Sequence, residues 1–200
     1  MINLLNKLLN DYNVRFWIRE INPLWSRVGY KAKIIDIKQE SKNVKTFTMQ
    51  VKGWKGFKAG QYINVCVEVN GVRMRRCYSL TSNPKDTNKI SITVKKSGKV
   101  SNWMCEKLAV GDTLEFNDAI GEFTLDDVNI DDKLLFVMGG SGITPGISIL
   151  KEINYNHDIV FIQACKSNED ILFKSGSRCR RTRVSNIPGN TRCEILDTRS

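Results

Sequence analysis

An apolar run that leads directly into a glycine-rich turn is the feature of the chain that most constrains its fold. Residues 134–138 are all apolar, and residues 139–145 follow as Gly-Gly-Ser-Gly-Ile-Thr-Pro. Beyond the turn, Ile147, Leu150 and Ile153 recur at helical spacing. The run predicts a buried parallel strand, and the spacing predicts a helix that follows it.

The same turn predicts an anion site. Because glycine has no side chain, backbone amides can approach a phosphate, and the dipole of the following helix favours its negative charge. Pro145 suits the first turn of that helix. A turn that only permits tight packing is the alternative.

A second motif, Arg-Cys-Tyr-Ser-Leu-Thr-Ser at residues 76–82, combines three kinds of binding chemistry. Arg76 can pair with a phosphate, the ring of Tyr78 can lie flat on an aromatic ring system, and Ser79 can hydrogen-bond a ring nitrogen. We expect these three side chains to point one way from a strand, so that one face serves three parts of a flavin nucleotide. A solvated edge strand is the alternative for the arginine-rich residues 72–76.

In this order and at this separation, the two motifs resemble those of the ferredoxin-NADP reductase family. Residues 98–103, Gly-Lys-Val-Ser-Asn-Trp, are similar to the start of the family's helix whose amides hold the flavin pyrophosphate. Residues 121–125 are similar to its interdomain linker, although Ala119 and Ile120 stand where a Gly-Pro pair is usual. The resemblance covers about residues 28–173. It implies a six-stranded antiparallel Greek-key flavin-binding barrel followed by a partial parallel α/β nucleotide-binding domain.

The pattern along the chain divides it into four segments. Alternating apolar residues and turns fill the barrel region, where Asn70-Gly71 is the clearest hairpin signal. The first 25 residues carry leucines at helical spacing but are too polar and too short to span a bilayer. They predict a helix that caps the barrel, with a surface-binding helix as the alternative. The segments are an N-terminal helical extension, a FAD-binding barrel domain, a partial NAD(P)-binding domain and an irregular basic tail, at residues 1–27, 28–127, 128–173 and 174–200.

The tail has neither helical nor strand periodicity. Residues 174–200 hold seven Lys or Arg against two Asp or Glu and so supply +5 of the formal net charge of +10. A truncated or frame-shifted reading frame accounts for the loss of pattern, because family members continue with further strands and helices. We therefore expect the chain to be a poor catalyst compared with a complete family member. A basic tail that binds nucleic acid or an anionic surface is the alternative.

The resemblance implies roles for individual residues. Arg76 would neutralise the flavin phosphate, Tyr78 would stack on the isoalloxazine ring, and Ser79 would hydrogen-bond its central-ring nitrogen, which makes Tyr78 and Ser79 the candidate catalytic residues. Further cofactor-binding candidates follow from the same motifs: Leu80, Thr81, Val94, Lys96, Gly98, Val100, Ser101, Gly140, Gly142, Ile143, Thr144 and Lys166. Lys166 stands where family members often place an arginine for the extra phosphate of NADP. A weak preference for NADPH over NADH follows.

The implied function is electron transfer from NADPH or NADH through FAD to an iron–sulfur protein or domain, as in reductase components that feed fatty-acid desaturases or oxygenases. The six cysteines lack the Cys-x4-Cys-x2-Cys run of a plant-type cluster. A 2Fe–2S cluster is therefore expected only on a partner or on a further C-terminal domain. A flavin-binding remnant without turnover and a basic nucleic-acid-binding module are the alternatives.

Cysteine usage also bears on location. Widely spaced thiols without a signal peptide predict a reducing cytoplasm. A peripheral position at a membrane, beside a membrane-bound desaturase, remains open. No metal site, nucleic-acid partner or transmembrane segment is expected.

Overall fold

The computed structural model describes residues 29–129, 133–153, 159–165 and 167–173, and the backbone alone of residues 168, 181–187 and 191–197. The helical extension that we predict at residues 1–27 lies outside the described residues.

The first unit is a six-stranded antiparallel sheet that curls into a barrel. Its strands are β1 (Tyr30–Ser41), β2 (Val44–Val51), β3 (Tyr62–Val69), β4 (Val72–Ser79), β5 (Lys89–Lys95) and β6 (Thr113–Phe116). They lie in the order β4-β3-β6-β1-β2-β5. A bridge between Leu80 and Ile92 joins the chain just beyond β4 to β5 and brings the two outer strands of the sheet together. The predicted antiparallel barrel is thereby confirmed.

The hairpin of β3 and β4 shows how the sequence specifies the barrel. Ile63, Val65 and Val67 are buried and alternate with more exposed residues along β3, so one face of the strand lies in the core. Asn70 and Gly71 both have left-handed φ values, 52° and 77°. A two-residue turn of this kind matches the twist of the strands that it joins, and the predicted hairpin is present.

Helix α1 (Lys99–Lys107) follows β5 in the chain and packs against β5 and β3. Val100, Met104 and Cys105 lie on its buried face and extend the barrel core. The helix begins directly after Gly98, whose extended backbone is its N-cap. This placement puts the first turn of α1 beside the end of β5.

The second unit begins with the predicted strand, glycine turn and helix. Strand β7 (Leu134–Gly139) runs into a 3-10 turn (Gly140–Gly142) and helix α2 (Ile143–Ile153), and β8 (Ile159–Cys165) then pairs in parallel with β7. Phe136 of β7 and Phe161 of β8 pack with ring centroids 5.9 Å apart. A 3-10 turn (Asn168–Asp170) follows β8.

Two strands follow where an irregular tail was expected. Strands β9 (Arg181–Ile187) and β10 (Thr191–Asp197) form an antiparallel pair, and β10 also pairs antiparallel with β8. The prediction of an irregular tail is wrong for these segments. The backbone of β8 needs hydrogen-bond partners on the side away from β7. Residues 181–187 also include Thr182, Val184 and Ile187, and β-branched residues suit strands.

Helix α2 also packs against the barrel. The hydroxyl of Ser148 donates to the carbonyl of Ser82 at 2.8 Å, and the side-chain amide of Asn83 donates to the carbonyl of Lys151 at 3.0 Å. Val44 and Ala59 of the barrel lie in one apolar cluster with buried residues of α2. The two units therefore meet directly behind the 76–82 motif.

The linker between the units is held to the barrel through β3. The backbones of Tyr62 and Ile120 exchange two hydrogen bonds of 2.9 Å each. Pairing of this kind needs no Gly-Pro dipeptide before the linker. Within the described part of the chain, no helix has the length and apolar character needed to cross a membrane.

Candidate functional site

A cavity of about 560 Å³ lies where β4, β5, the first turn of α1 and the first turn of α2 converge. Its lining draws on both sequence motifs and on both units of the fold: Arg76, Cys77, Tyr78, Ser79, Thr93, Lys95, Ser97, Gly98, Lys99, Val100, Ser101, Ser141, Gly142, Thr144 and Pro145. The structure thus brings residues that are distant in sequence to one site.

Strand β4 supplies the cation and the aromatic ring. Arg76 and Tyr78 lie opposite the core residues Val65 and Ile63 of β3 and share their face of the sheet. Apart from the bridge at Leu80, β4 and β5 are not paired in the described part of the chain. The space between these two strands is therefore open on this face. The Arg76 guanidinium is exposed and donates to the Arg75 carbonyl at 2.7 Å.

Tyr78 is half-buried against the barrel core. The pKa of Tyr78 is raised to about 12, mainly because the phenol is buried. The nearby Cys105 thiol adds to this rise, and the charge of Arg76 opposes it. The phenol is therefore neutral at physiological pH. A neutral, fixed ring at the cavity wall suits stacking on a planar aromatic ligand.

Ser79 departs from the expected shared face. It follows Tyr78 directly and lies opposite Tyr62, so strand alternation points it away from Arg76 and Tyr78. It still lines the cavity, because β4 ends at this residue. The expectation that Arg76, Tyr78 and Ser79 all point one way from the strand is corrected accordingly.

The first turn of α1 supplies amide donors. Ser101 Oγ accepts hydrogen bonds from the amides of Ser97 and Gly98, each at 3.0 Å, and so satisfies the backbone just before the helix. The next amides, of Lys99 and Val100, have no partner within the helix, because the first turn of a helix lacks preceding carbonyls. Gly98 has open space where a side chain would be. This turn fits a phosphate group.

The glycine turn closes the other side of the cavity. Gly142 and Thr144 line it, and the Thr144 hydroxyl donates to the Ser141 carbonyl at 2.9 Å. Gly140, with a left-handed φ of 52°, lines a smaller cavity of about 200 Å³ beside the end of β8. Lys166 lies outside the described residues.

Five of the expected binding residues do not line either cavity. Leu80 and Val94 are fully buried in the barrel core, and Ile143 is buried in the core behind α2. Thr81 is buried beneath the cavity wall. The fifth, Lys96, forms an ion pair with Glu106 of α1 at 3.1 Å.

The residues on and just after β5 that were expected to bind the cofactor, Val94 and Lys96, are each one position after the residues that line the cavity. Ile90, Ile92 and Val94 face the core, so Thr93 and Lys95 face the cavity instead of Val94 and Lys96. The apolar alternation of residues 90, 92 and 94 is the signal that identifies the cavity-facing set. Sequence reasoning also missed several lining residues that neighbour its motifs: Cys77, Ser97, Lys99, Ser141 and Pro145.

The lining fits a flavin nucleotide. Arg76 and the first turn of α1 provide cationic and amide donors for phosphate, and Lys95 and Lys99 add positive charge. The Tyr78 ring provides an apolar face for a planar ring system. Residues Arg76, Tyr78, Gly98, Val100 and Ser101 would hold such a cofactor.

Comparison with known proteins gives independent findings. The model of the oxidoreductase FAD-binding domain matches residues 31–125. The glycine betaine monooxygenase reductase subunit of Pseudomonas aeruginosa is 30% identical over 185 residues, which are 87% of this chain and 50% of the relative. The chain therefore spans about half the length of this curated relative.

Solved structures share the fold. Phthalate dioxygenase reductase, described as a modular structure for electron transfer from pyridine nucleotides to 2Fe–2S, superimposes with a TM-score of 0.64 at 24% identity, over 72% of this chain and 46% of that one. A ferredoxin NADP+ reductase from Neisseria gonorrhoeae with bound FAD and NADP gives a TM-score of 0.57 at 23% identity, over 64% and 53%.

The matched domain covers every barrel residue that lines the cavity, from Arg76 to Ser101. The unit that follows it has the strand, glycine turn and helix that the resemblance implies. With its FAD-binding domain at residues 31–125, the chain belongs to the ferredoxin-NADP reductase family of flavoprotein oxidoreductases.

Proposed function

We propose that this chain is the flavin-binding part of an NAD(P)H-dependent reductase that passes electrons through FAD to an iron–sulfur protein or domain. One observation carries the proposal. A single cavity is lined by Arg76, Tyr78 and the first turn of α1 on the barrel side and by Gly142 and Thr144 on the other. A flavin site and a dinucleotide turn thus face each other across one space.

The residues of the chain have separate tasks in this proposal. Arg76 and the amides of Lys99 and Val100 bind the cofactor's phosphates, and Tyr78 holds its ring system against the barrel. Ser79, at the end of β4, hydrogen-bonds the ring. The chemistry that a bound flavin supplies is acceptance of a hydride from reduced nicotinamide and release of single electrons.

The glycine turn would receive the nicotinamide cofactor. Gly140 and Gly142 leave the backbone accessible, and open space surrounds the position of a side chain at each. The dipole of α2 favours a pyrophosphate there. We further propose that Lys166 gives a weak preference for NADPH over NADH.

The electron acceptor that we propose is an iron–sulfur oxygenase component. The support is the similarity to the glycine betaine monooxygenase reductase subunit of Pseudomonas aeruginosa, which is the reductase of a monooxygenase. A membrane-bound fatty-acid desaturase is the acceptor to test beside it. We place the chain in the cytoplasm, and the thiols of Cys66, Cys77 and Cys105, which form no disulfide, support a reducing compartment.

The test begins with an absorption spectrum of the purified chain after reconstitution with FAD. NADPH and NADH are then added separately without oxygen, and the loss of the flavin band is followed. Bleaching by either nucleotide supports the proposed reductase. Retained flavin without bleaching would identify a flavin-binding remnant, and a colourless protein after reconstitution would overturn the flavin site itself.

A further inference from the structure

A row of three hydrogen-bonded side chains runs from the cavity wall across β5, β2 and β1, on the face of the sheet that points away from the barrel core. Thr93 lines the cavity, and its hydroxyl oxygen lies 2.8 Å from that of Thr46. The Thr46 hydroxyl in turn donates to Oε1 of Glu40 at 3.1 Å. The row is buried: Thr93 is 7% exposed, Thr46 is 9% exposed, and the Glu40 side chain is 6% exposed.

Two lysines, Lys38 and Lys151, act on the Glu40 end of the row. Oε2 of Glu40 accepts a hydrogen bond from the Lys38 ammonium at 3.1 Å. On the side of α2, the charge of Glu40 also acts on Lys151, where it opposes the lowering of the Lys151 pKa by burial. Glu40 is therefore set between cations as a carboxylate, which accepts hydrogen bonds and has none to donate.

This acceptor fixes the direction of every hydroxyl in the row. Thr46 has one hydroxyl proton and uses it on Glu40, so it can only accept from Thr93. Thr93 then uses its own proton on Thr46. The hydroxyl of Thr81, 3.5 Å from Thr93, is placed as a second donor toward it. Thr93 therefore turns its remaining lone pair, and no proton, toward the cavity.

We infer that Glu40 is a positioning residue which, through Thr46 and Thr93, presents a hydrogen-bond acceptor to the cavity for an N–H or O–H group of the cofactor. The inference rests on the proposed flavin site. Flavins carry such donors on the ring N–H and on the ribityl hydroxyls, whereas ionised phosphate oxygens mainly accept. The row thus assigns the Thr93 wall to the ring or ribityl part and leaves the phosphates to Arg76 and the first turn of α1.

Glu40→Gln is the informative substitution because it keeps the size of the side chain. Both hydrogen-bond partners of Glu40 in the row, Lys38 and Thr46, are donors. A glutamine offers one oxygen and one NH₂ group. The oxygen should stay with the ammonium of Lys38, which leaves the NH₂ group facing Thr46 and reverses the row. Thr93 would then point a proton into the cavity.

The experiment measures FAD affinity by fluorescence titration of the full chain in four variants and in the wild type. We expect Glu40→Gln and Thr93→Val each to weaken FAD binding about tenfold, the scale of one hydrogen bond. Thr93→Ser keeps the hydroxyl and should bind as the wild type does. Thr48→Val is the matched control, because Thr48 accepts from Ser91 at 3.2 Å between the same two strands but lies outside the row.

A double variant separates the row from a general structural effect. Glu40→Gln added to Thr93→Val should weaken FAD binding no further, because its effect passes through Thr93. A full additional loss in the double variant would show that Glu40 acts by another route and would overturn the inference. Urea unfolding of each cofactor-free variant reports stability separately, and Thr93→Ser keeps the test valid if a larger change impairs folding.

Two ligand probes identify the group that meets Thr93. Riboflavin lacks phosphate and should lose the same factor on Glu40→Gln as FAD does. Lumiflavin keeps the isoalloxazine ring and has a methyl group in place of the ribityl chain, so a retained effect identifies the ring N–H and a lost effect identifies a ribityl hydroxyl. An effect seen with FAD but absent with riboflavin would put phosphate at Thr93 and overturn the inference.

The flavin site and the role of Glu40 give different results when each is absent. A wild-type chain that binds no flavin overturns the proposed function and the role of Glu40 together. A wild-type chain that binds FAD, with Glu40→Gln and Thr93→Val binding equally well, overturns the role of Glu40 alone.

Discussion

The ammonium group of Lys151 donates a hydrogen bond to the backbone carbonyl of Thr81 at a distance of 2.5 Å. Lys151 belongs to α2 of the second unit, and Thr81 follows β4 of the barrel within the flavin motif. The contact therefore joins the helix that follows the glycine turn to the segment that carries Tyr78 and Ser79. Ser148 and Asn83 form parallel contacts across the same boundary.

Burial of Lys151 predicts a pH-dependent stability difference. Burial lowers the pKa of Lys151 from its usual value of 10.5, so the folded chain binds this proton less well than the unfolded chain. As pH rises from the lowered folded pKa toward 10.5, the unfolded state binds more protons, and stability rises. Relative to Lys151→Met, the wild type should therefore gain unfolding free energy across this alkaline window.

Urea unfolding of the wild type and of Lys151→Met at several alkaline pH values measures this difference. Lys85→Met is the control for the loss of one lysine charge, because Lys85 is exposed. A difference for Lys151→Met that stays constant or falls with rising pH would contradict the buried-ammonium account.

Removal of the Arg76 guanidinium is expected to weaken the binding of flavins that carry phosphate and to leave riboflavin binding unchanged. Arg76→Ala should weaken FAD binding by roughly 1.5–3 kcal/mol, the scale of a lost charged hydrogen bond. Riboflavin, which has no phosphate, should bind both proteins equally. Arg75→Ala is the matched control, since Arg75 lies opposite Cys66 on the other face of β4 and does not line the cavity. Equal loss for FAD and riboflavin would remove phosphate pairing as the role of Arg76.

Local sequence patterns predict much of the site because each belongs to one short segment. The Asn70-Gly71 turn fixes the register of β3 and β4, and that register places Arg76 and Tyr78 on one face. The apolar run and glycine turn likewise specify β7, the 3-10 turn and α2. A motif does not state which face of its strand is buried, however. Val94 was assigned to the cavity although residues 90, 92 and 94 form an apolar alternation.

Contacts between distant strands could not be predicted in this way. Glu40, Thr46 and Thr93 meet only because β2 pairs with β1 on one side and with β5 on the other. The hairpin of β9 and β10 could not be predicted for the same reason. Its residues have a weak strand pattern, and β10 pairs with β8 because β8 offers an unpaired strand edge. Tertiary context decides both features.

A side chain at position 140 is expected to impair the reaction with NADPH while flavin stays bound. Gly140→Val places a branched side chain in the turn that we assign to the dinucleotide. Bleaching of bound flavin by NADPH should slow by at least tenfold, the scale of one lost backbone contact. Gly53→Val is the control for backbone strain, since Gly53 has a similar φ of 65° against 52° for Gly140 and open space around it. Identical bleaching of the wild type and Gly140→Val would count against the assignment.

A side chain at position 60 is expected to lower the stability of the fold strongly, because Gly60 lies at the contact between the barrel and the linker. Its φ of 93° disfavours any side chain, and a Cβ atom there would lie only 1.8 Å from the carbonyl oxygen of Phe123 in the linker. Gly56 has a φ of 88° but nothing within 4 Å of its Cβ position. Gly56→Ala therefore reports the conformational cost alone, about 1–2 kcal/mol. Gly60→Ala should lose that amount and, in addition, at least about 2 kcal/mol for displacing the linker backbone. Urea unfolding of both variants decides the matter, since equal losses would mean that the linker moves away from β3 without cost.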